Sequence, residues 1–427
     1  MRHLQRSVPW VYSLLMALAA AVLLYASNSL SPVWWTAWLA PLPLLLLAFS
    51  NRPWAARVWV AVAVAASMAA YLSYFRLVMP WLPIVLINLG QILLWVLVVM
   101  MARRIVLTYA SAWTVFAYPI LWSAADTLMT ALLPDGNWSS VAYTQGDVPI
   151  VVQTLSLGGT AGLLFLLNLP ASVLAVVLWH RRNLRSRLPA LGLAVAVMAG
   201  AWVYGAWQLR QPLDGAPVCV GMASIDDPIG LHASPAYSAP IRDRYDALVA
   251  QLASSGAHVI VLPEKVAMLK PADVAAWQSH FSGVAAQNNV WLVVGMGVDD
   301  GQHPRNYAWL FDPSGKLVED YQKHYMAPPE RAEHYASGDA WNVHRIDGHL
   351  FGLAVCKDMH FAPLGLAYGQ LNADVMLVPA WDFAYRDGWI ASRITMYRGV
   401  ENGYAIVRAS REGLLSVSDA HGRFLAQ

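Results

Sequence analysis

The sequence predicts a multi-span α-helical membrane domain followed by a soluble α/β domain. Three observations carry this reading. Hydrophobic residues make up 58% of the 427, and charged residues only 13%. The mean hydropathy of +0.44 is far above what a soluble chain of ordinary composition shows. The charge is also unevenly divided. Residues 1–210 contain no Lys or Glu, only Asp126, Asp135 and Asp147 as acids, and 12 Arg, whereas residues 211–427 hold the other 23 acids and 16 Lys plus Arg. The two parts carry +9 and −7, which sum to the +2 of the whole chain. The domain boundary therefore falls near residue 210, giving 1–210 as membrane domain and 211–427 as outer domain.

A spanning helix needs roughly 17 to 25 apolar residues. Seven segments meet that need, near 10–28, 31–49, 56–75, 80–101, 105–125, 152–178 and 188–208. The first has a basic start and resembles a signal peptide, but six further spans follow, so it reads as a retained helix. Arg2, Arg6, Arg52, Arg57, Arg103, Arg104, Arg181, Arg182, Arg185 and Arg187 fall in alternate connections, and only Arg76 falls in the others. Short cytoplasmic connections are the ones enriched in Arg. The amino terminus is therefore expected inside. An odd number of spans then puts 211–427 outside, which in a bacterium is the periplasmic face of the inner membrane. Residues 126–151 form the longest connection and read as an external loop or a rim beside a lipid-facing cavity, with Trp138, Val141 and Tyr143 on the membrane surface.

The outer domain alternates strand and helix patterns. Strands are expected over 217–223, 258–264, 290–298, 375–379 and 404–410, with hairpins over 306–323 and 341–356. Helices are expected near 241–256, 271–287 and 387–401. In layered α/β domains, active residues gather beyond the carboxyl ends of strands. Glu264 follows the apolar run VIVLP, Lys323 ends the first hairpin, and Cys356 follows LFGLAV. Each alone reads as a solvated strand end or a packed thiol. Together they supply a nucleophile, a proton acceptor and an oxyanion partner. Cys219 lies within an apolar strand and reads as core. With two Cys in all, no disulfide framework is expected.

These motifs resemble the nitrilase superfamily. LPEK carries Glu264, YQKHYMAPPER carries Lys323 and Glu330, and VCKDMHF carries Cys356. The resemblance implies an α/β nitrilase-like (α-β-β-α sandwich) domain, a Glu264–Lys323–Cys356 triad, Glu330 as a supporting glutamate, and the Lys357 backbone N–H at the oxyanion. VENGYAIVRAS, at 400–410, is similar to the stretch after the nucleophile in that superfamily. Several spans ahead of such a domain, together with GNWSSVAYTQGDVPIVVQTLSLGG at 136–159, resemble the bacterial apolipoprotein N-acyltransferase family. That resemblance implies transfer of a fatty acyl group from a phospholipid to the amino-terminal amine of a diacylglyceryl-lipoprotein. The expected partners are thus phospholipid, lipoprotein and bilayer.

Two motifs differ from the usual family form. Lys357-Asp358 stands where Tyr-Glu is usual, and Ala327-Pro328-Pro329-Glu330 stands where Val-Pro-Phe-Gly-Glu is usual. The chain ends GRFLAQ without a closing apolar span, so it reads as a divergent, carboxyl-terminally shortened member lacking the last strands. A membrane-anchored amidase or nitrilase is the alternative enzyme, and a non-catalytic scaffold the alternative of another class. His324 and His360 form no credible ligand set, so neither metal nor cofactor is expected. The acidic outer half has no basic patch with interleaved aromatics, so nucleic acid is not an expected partner.

Overall fold

The computed structural model describes residues 9–28, 30–109, 111–180, 188–213 and 215–427. The chain divides into two compact units, Met1–Arg210 and Gln211–Gln427.

The first unit is helical. Among the described residues, five helices are long and apolar enough to cross a membrane: Trp10–Ser27, Trp81–Thr108, Ala112–Leu132, Leu155–Trp179 and Leu188–Gln208. Pro53–Ser67 and Ala69–Val78 would make a sixth span, bent by 53°. At the bend, the Ser67 hydroxyl donates to Val64 O at 2.7 Å, a local bond that competes with the helical ladder and bends it. The expected seven spans are therefore corrected to five or six. The second expected span is a shorter apolar helix, Thr36–Ser50, ended by Asn51 and the next proline-started helix. At roughly 1.5 Å per residue it falls short of a hydrocarbon core about 30 Å thick.

The fourth helix runs on to Thr108, so Arg103 lies inside it rather than in a connection. Arg103 is buried, and its guanidinium donates to Ala48 O at 2.7 Å and Asn51 O at 3.0 Å. It caps carbonyls left open at the end of Pro41–Ser50. Arg2, Arg6, Arg181, Arg182, Arg185 and Arg187 lie outside the described residues. The expected 126–151 loop is also corrected, because helix continues to Leu132. Tyr143 is buried, not on a surface, and Trp138 stacks on Tyr74 with ring centroids 4.8 Å apart.

The second unit is an α-β-β-α sandwich. One sheet contains β1 (Val220–Met222), β2 (Val259–Val261), β4 (Trp291–Val298), β5 (Arg305–Phe311) and β6 (Leu317–Gln322) in that order, with β3 (Met268–Leu269) beside β4. The other runs β12 (Phe424–Ala426), β11 (Ser416–Ser418), β10 (Ala405–Arg411), β9 (Val375–Trp381), β8 (His349–Leu353) and β7 (Val343–Ile346). Strand alternation builds the layers. Val259 and Val261 face Leu353, Leu377 and Val407 between the sheets. Ile260, Leu262, Leu292 and Val294 face the opposite way, under helices Pro235–Ser254 and Val274–Asn288. Met376, Val378 and Ile406 meet helix Ala362–Gln370 on the far side of the second sheet.

The Asp347-Gly348 turn joins β7 to β8 with both residues at positive φ, +49° and +90°, as a two-residue hairpin requires. β11 and β12 extend the second sheet past the last strand expected from sequence. Cys219 is exposed rather than core. Val218, Val220 and Met222 pack between the sheets, so alternation turns Cys219 the other way on an edge strand.

Candidate active site

The site lies within the second unit, at loops that follow β2, β6 and β8. Glu264 comes after β2, and its backbone N–H donates to Ala380 O of β9 at 3.2 Å. The chain passes close to β4 here. A Cβ built on Gly295 would lie 2.3 Å from Pro263 O and 2.6 Å from the Glu264 Cα. Only glycine permits that approach. Lys323 follows β6, with its N–H on Asn306 O at 2.8 Å and its carbonyl accepting from Gly338 N at 2.8 Å. Glu330 sits on the short helix Pro328–Ala332, where its Oε2 accepts from the Ala327 N–H at 2.9 Å.

Lys323 joins the two carboxylates. Its Nζ is 2.9 Å from Glu264 Oε1 and 2.7 Å from Glu330 Oε2, and all three side chains are nearly inaccessible to solvent. Burial alone would strip the lysine of its proton, but Glu264 and Glu330 outweigh it and hold the ammonium well above its ordinary range.

Cys356 opens the turn after β8 with φ +47°, a conformation uncommon for a residue with a side chain. Its Sγ lies 3.6 Å from Trp381 O. Burial first, then the Glu264 carboxylate, pushes the thiol up to about 12, against the opposing charges of Lys323 and Arg408. At neutral pH Cys356 is therefore a thiol, and its nucleophilic form requires a proton acceptor. Lys357 is buried in the Cys356–His360 turn. Asp358 holds that turn in place. Its two oxygens accept from Val355 N, His324 N, Tyr325 N and the Tyr321 hydroxyl, at 2.9, 3.0, 2.7 and 2.8 Å.

Two further residues enter the network without a sequence signal. Asn306, fully buried on β5, donates to Glu264 Oε1 at 2.6 Å and to Glu330 Oε1 at 2.7 Å. Lys265 reaches Glu330 Oε1 at 2.9 Å and stands over the Tyr335 ring at 4.4 Å. An amide or a lysine beside a strand end reads as a solvated residue until the fold brings its partners together. His324 bonds Gly338 O through Nδ1 at 2.6 Å. Among the described residues, no group of three His, Cys, Asp or Glu side chains converges as a metal site would.

The two parts of the chain match two family models. Residues 20–173 match the apolipoprotein N-acyltransferase N-terminal domain, and residues 230–426 match the carbon-nitrogen hydrolase domain. The chain belongs to the apolipoprotein N-acyltransferase family. A relative of that name from Geobacter metallireducens is 25% identical over 96% of this chain and 85% of its own length. One from Vibrio vulnificus is 22% identical over 73% of this chain, and one from Gloeobacter violaceus 28% identical over 71%. The chain spans 65% and 60% of the length of these last two. Among solved structures, an amidase from Nesterenkonia sp. AN1 is 21% identical, covering 48% of this chain and 86% of its own, with a TM-score of 0.42.

Proposed function

We propose that the chain is an N-acyltransferase working through a Cys356 thioester, with phospholipid as acyl donor and a diacylglyceryl-lipoprotein amine as acceptor. The observation that carries this is the buried Lys323 held between Glu264 and Glu330 beside a thiol, in a chain of the matching family.

In the first step Glu264 takes the proton from Cys356 Sγ, and the thiolate attacks the ester carbonyl carbon. Lys323 and the Lys357 backbone N–H face the developing oxyanion. The ester C–O bond breaks, the proton passes from Glu264 to the leaving oxygen, and lysophospholipid departs. In the second step the amine attacks the thioester and Glu264 takes its proton. The C–S bond breaks, and the proton returns to Cys356. Glu330 keeps Lys323 in position.

The test supplies purified protein with phospholipid and a diacylated lipopeptide. Triacylated lipopeptide and lysophospholipid are the expected products. The second reading is a membrane-anchored carbon-nitrogen hydrolase, which Lys357-Asp358 and Pro329-Glu330-Arg331 favour by departing from the usual family motifs. Ammonia from a small amide, with no triacylated product, would establish that reading instead.

The arginine bias supports a cytoplasmic amino terminus, and an odd count of five spans would then put the outer domain at the periplasmic face of a bacterial inner membrane. A cysteine placed in the exposed 299–304 turn should label in intact spheroplasts. Labelling only after the cytoplasm is opened would overturn this orientation.

A further inference from the structure

Lys265 approaches the site in a way that the reaction scheme leaves unused. It directly follows Glu264 and adopts φ +50°, and the Arg411 guanidinium donates to its carbonyl at 2.9 Å. The side chain, only 10% exposed, reaches Glu330 Oε1 at 2.9 Å. The Tyr335 and Trp381 rings lie 4.4 and 5.9 Å from its Nζ, and such faces attract a cation. Burial pushes the ammonium toward neutrality, but Glu330 and Glu264 outweigh it, so Lys265 stays charged.

The two carboxylates therefore live differently. Glu330 receives Lys265 and Asn306 on Oε1, and Lys323 and the Ala327 N–H on Oε2. Burial pushes the Glu330 carboxyl up, yet the Lys323 and Lys265 charges together hold it well below the usual carboxylate range. Glu264 receives Lys323 and Asn306 on Oε1, and its buried Oε2 has no hydrogen-bond partner among the described residues. Two carboxylates sharing one ammonium compete for a proton, because each disfavours the other's charge. A second ammonium removes that competition.

We infer that Lys265 is a positioning residue that keeps Glu330 an anion, which leaves Glu264 as the one carboxylate free to take the Cys356 proton. This rests on the reading of Cys356 as nucleophile. The charged groups acting on Cys356 are Glu264, Lys323, Arg408 and Asp382, and those acting on Lys265 are Glu330, Glu264, Lys323 and Tyr335. Glu264, Glu330, Lys265 and Lys323 sum to zero charge. Lys265→Met leaves the set at −1, and the thiolate then forms less readily.

The experiment uses the full chain in detergent with Cys219→Ala, so that Cys356 is the one remaining thiol. Iodoacetamide alkylation is followed from about pH 7 to about pH 9, beside acyl transfer from phospholipid to lipopeptide. A rise of about one pKa unit in the thiol makes Lys265→Met roughly tenfold slower to alkylate at each pH. It should also lower kcat with KM within about twofold, since a positioning loss acts on the chemical step. Lys265→Gln, which keeps a donor but not the charge, should behave like Met, and Lys265→Arg should restore the wild-type rate. Wild-type rates in Lys265→Gln overturn the proposal, as does failure of Lys265→Arg to rescue, because either outcome makes Lys265 a packing group. Undiminished acyl transfer in Cys356→Ala would instead remove the nucleophile assignment itself.

Discussion

The Asp358 carboxylate accepts the Tyr325 backbone N–H at 2.7 Å, and this bond ties the turn carrying the thiol to the chain that has just delivered the lysine. The same carboxylate also takes the His324 and Val355 N–H groups. The neighbours of both Lys323 and Cys356 thus hang on one side chain. Burial pushes this carboxyl up to about 6, while Lys323 and the donors pull it down. It is therefore ionised at neutral pH and gains a proton as pH falls through that value. A protonated Asp358 loses acceptor capacity that its donors need. Acyl transfer should fall on the acid side with a half-point near 6. Asp358→Asn should abolish that limb and lower activity at every pH, because an amide nitrogen would face backbone donors. Stopped assays across the range check both, and an unchanged acid limb in Asp358→Asn would remove the assignment.

Glu264 separates two readouts that usually move together. Its charge raises the Cys356 pKa, so Glu264→Gln should make alkylation of the thiol faster at a fixed pH. The same change removes the proposed base, and loss of a general base typically costs roughly 10²–10⁴-fold in turnover. Faster alkylation with slower acyl transfer is the expected pair, measured by intact-protein mass spectrometry after each reagent. If both fall together, Glu264 holds the site's shape rather than its proton.

Strand-end punctuation made part of this site legible. Glu264 and Cys356 each follow an apolar run and Lys323 ends a hairpin, and the structure joins Lys323 to Glu264 and to Glu330. Lys265 and Asn306 had no such mark, because their partners lie 65 and 42 residues away along the chain, at Glu330 and Glu264. Cys219 misled for a simple reason. Periodicity tells which residues share a face, but not which face of an edge strand is covered. The membrane half misled through length. Hydropathy found every apolar segment, yet the short second helix and the extended fourth are set by Asn51 and by the Arg103 cap, which hydropathy does not weigh.

Arg408 and Asp382 form a fully buried ion pair behind the thiol, with Nη1 on Oδ2 at 2.8 Å and the Ser410 hydroxyl on the same oxygen at 2.7 Å. Removing one partner of such a pair leaves an uncompensated charge, at a cost of about 3–5 kcal/mol. Arg408→Met should lower unfolding stability of the outer domain by that order, read as an earlier denaturant midpoint. A loss under about 1 kcal/mol, the range of exposed pairs, would show that water reaches Asp382.

Gly295 offers the cleanest test of how Glu264 is positioned. Its missing side chain is what lets β4 pass the Pro263 carbonyl and the Glu264 Cα, and a methyl group there would sit 2.3 and 2.6 Å from them. Both obstacles are backbone, so the loop carrying Glu264 must move. Overpacking of this kind costs about 1–3 kcal/mol, and a displacement of about 1 Å at a reacting group can cost 10²-fold in rate. Gly295→Ala should therefore lose much more activity than its modest loss of stability explains at a temperature where it remains folded. Gly283 is the control, since a Cβ there meets nothing within 4 Å. It lies in helix Val274–Asn288, where Gly→Ala should stabilise by about 0.5–1 kcal/mol and leave turnover unchanged. Equal acyl-transfer rates for Gly295→Ala and Gly283→Ala would mean that the Glu264 loop absorbs the shift, and that its place is not fixed by the close approach to β4.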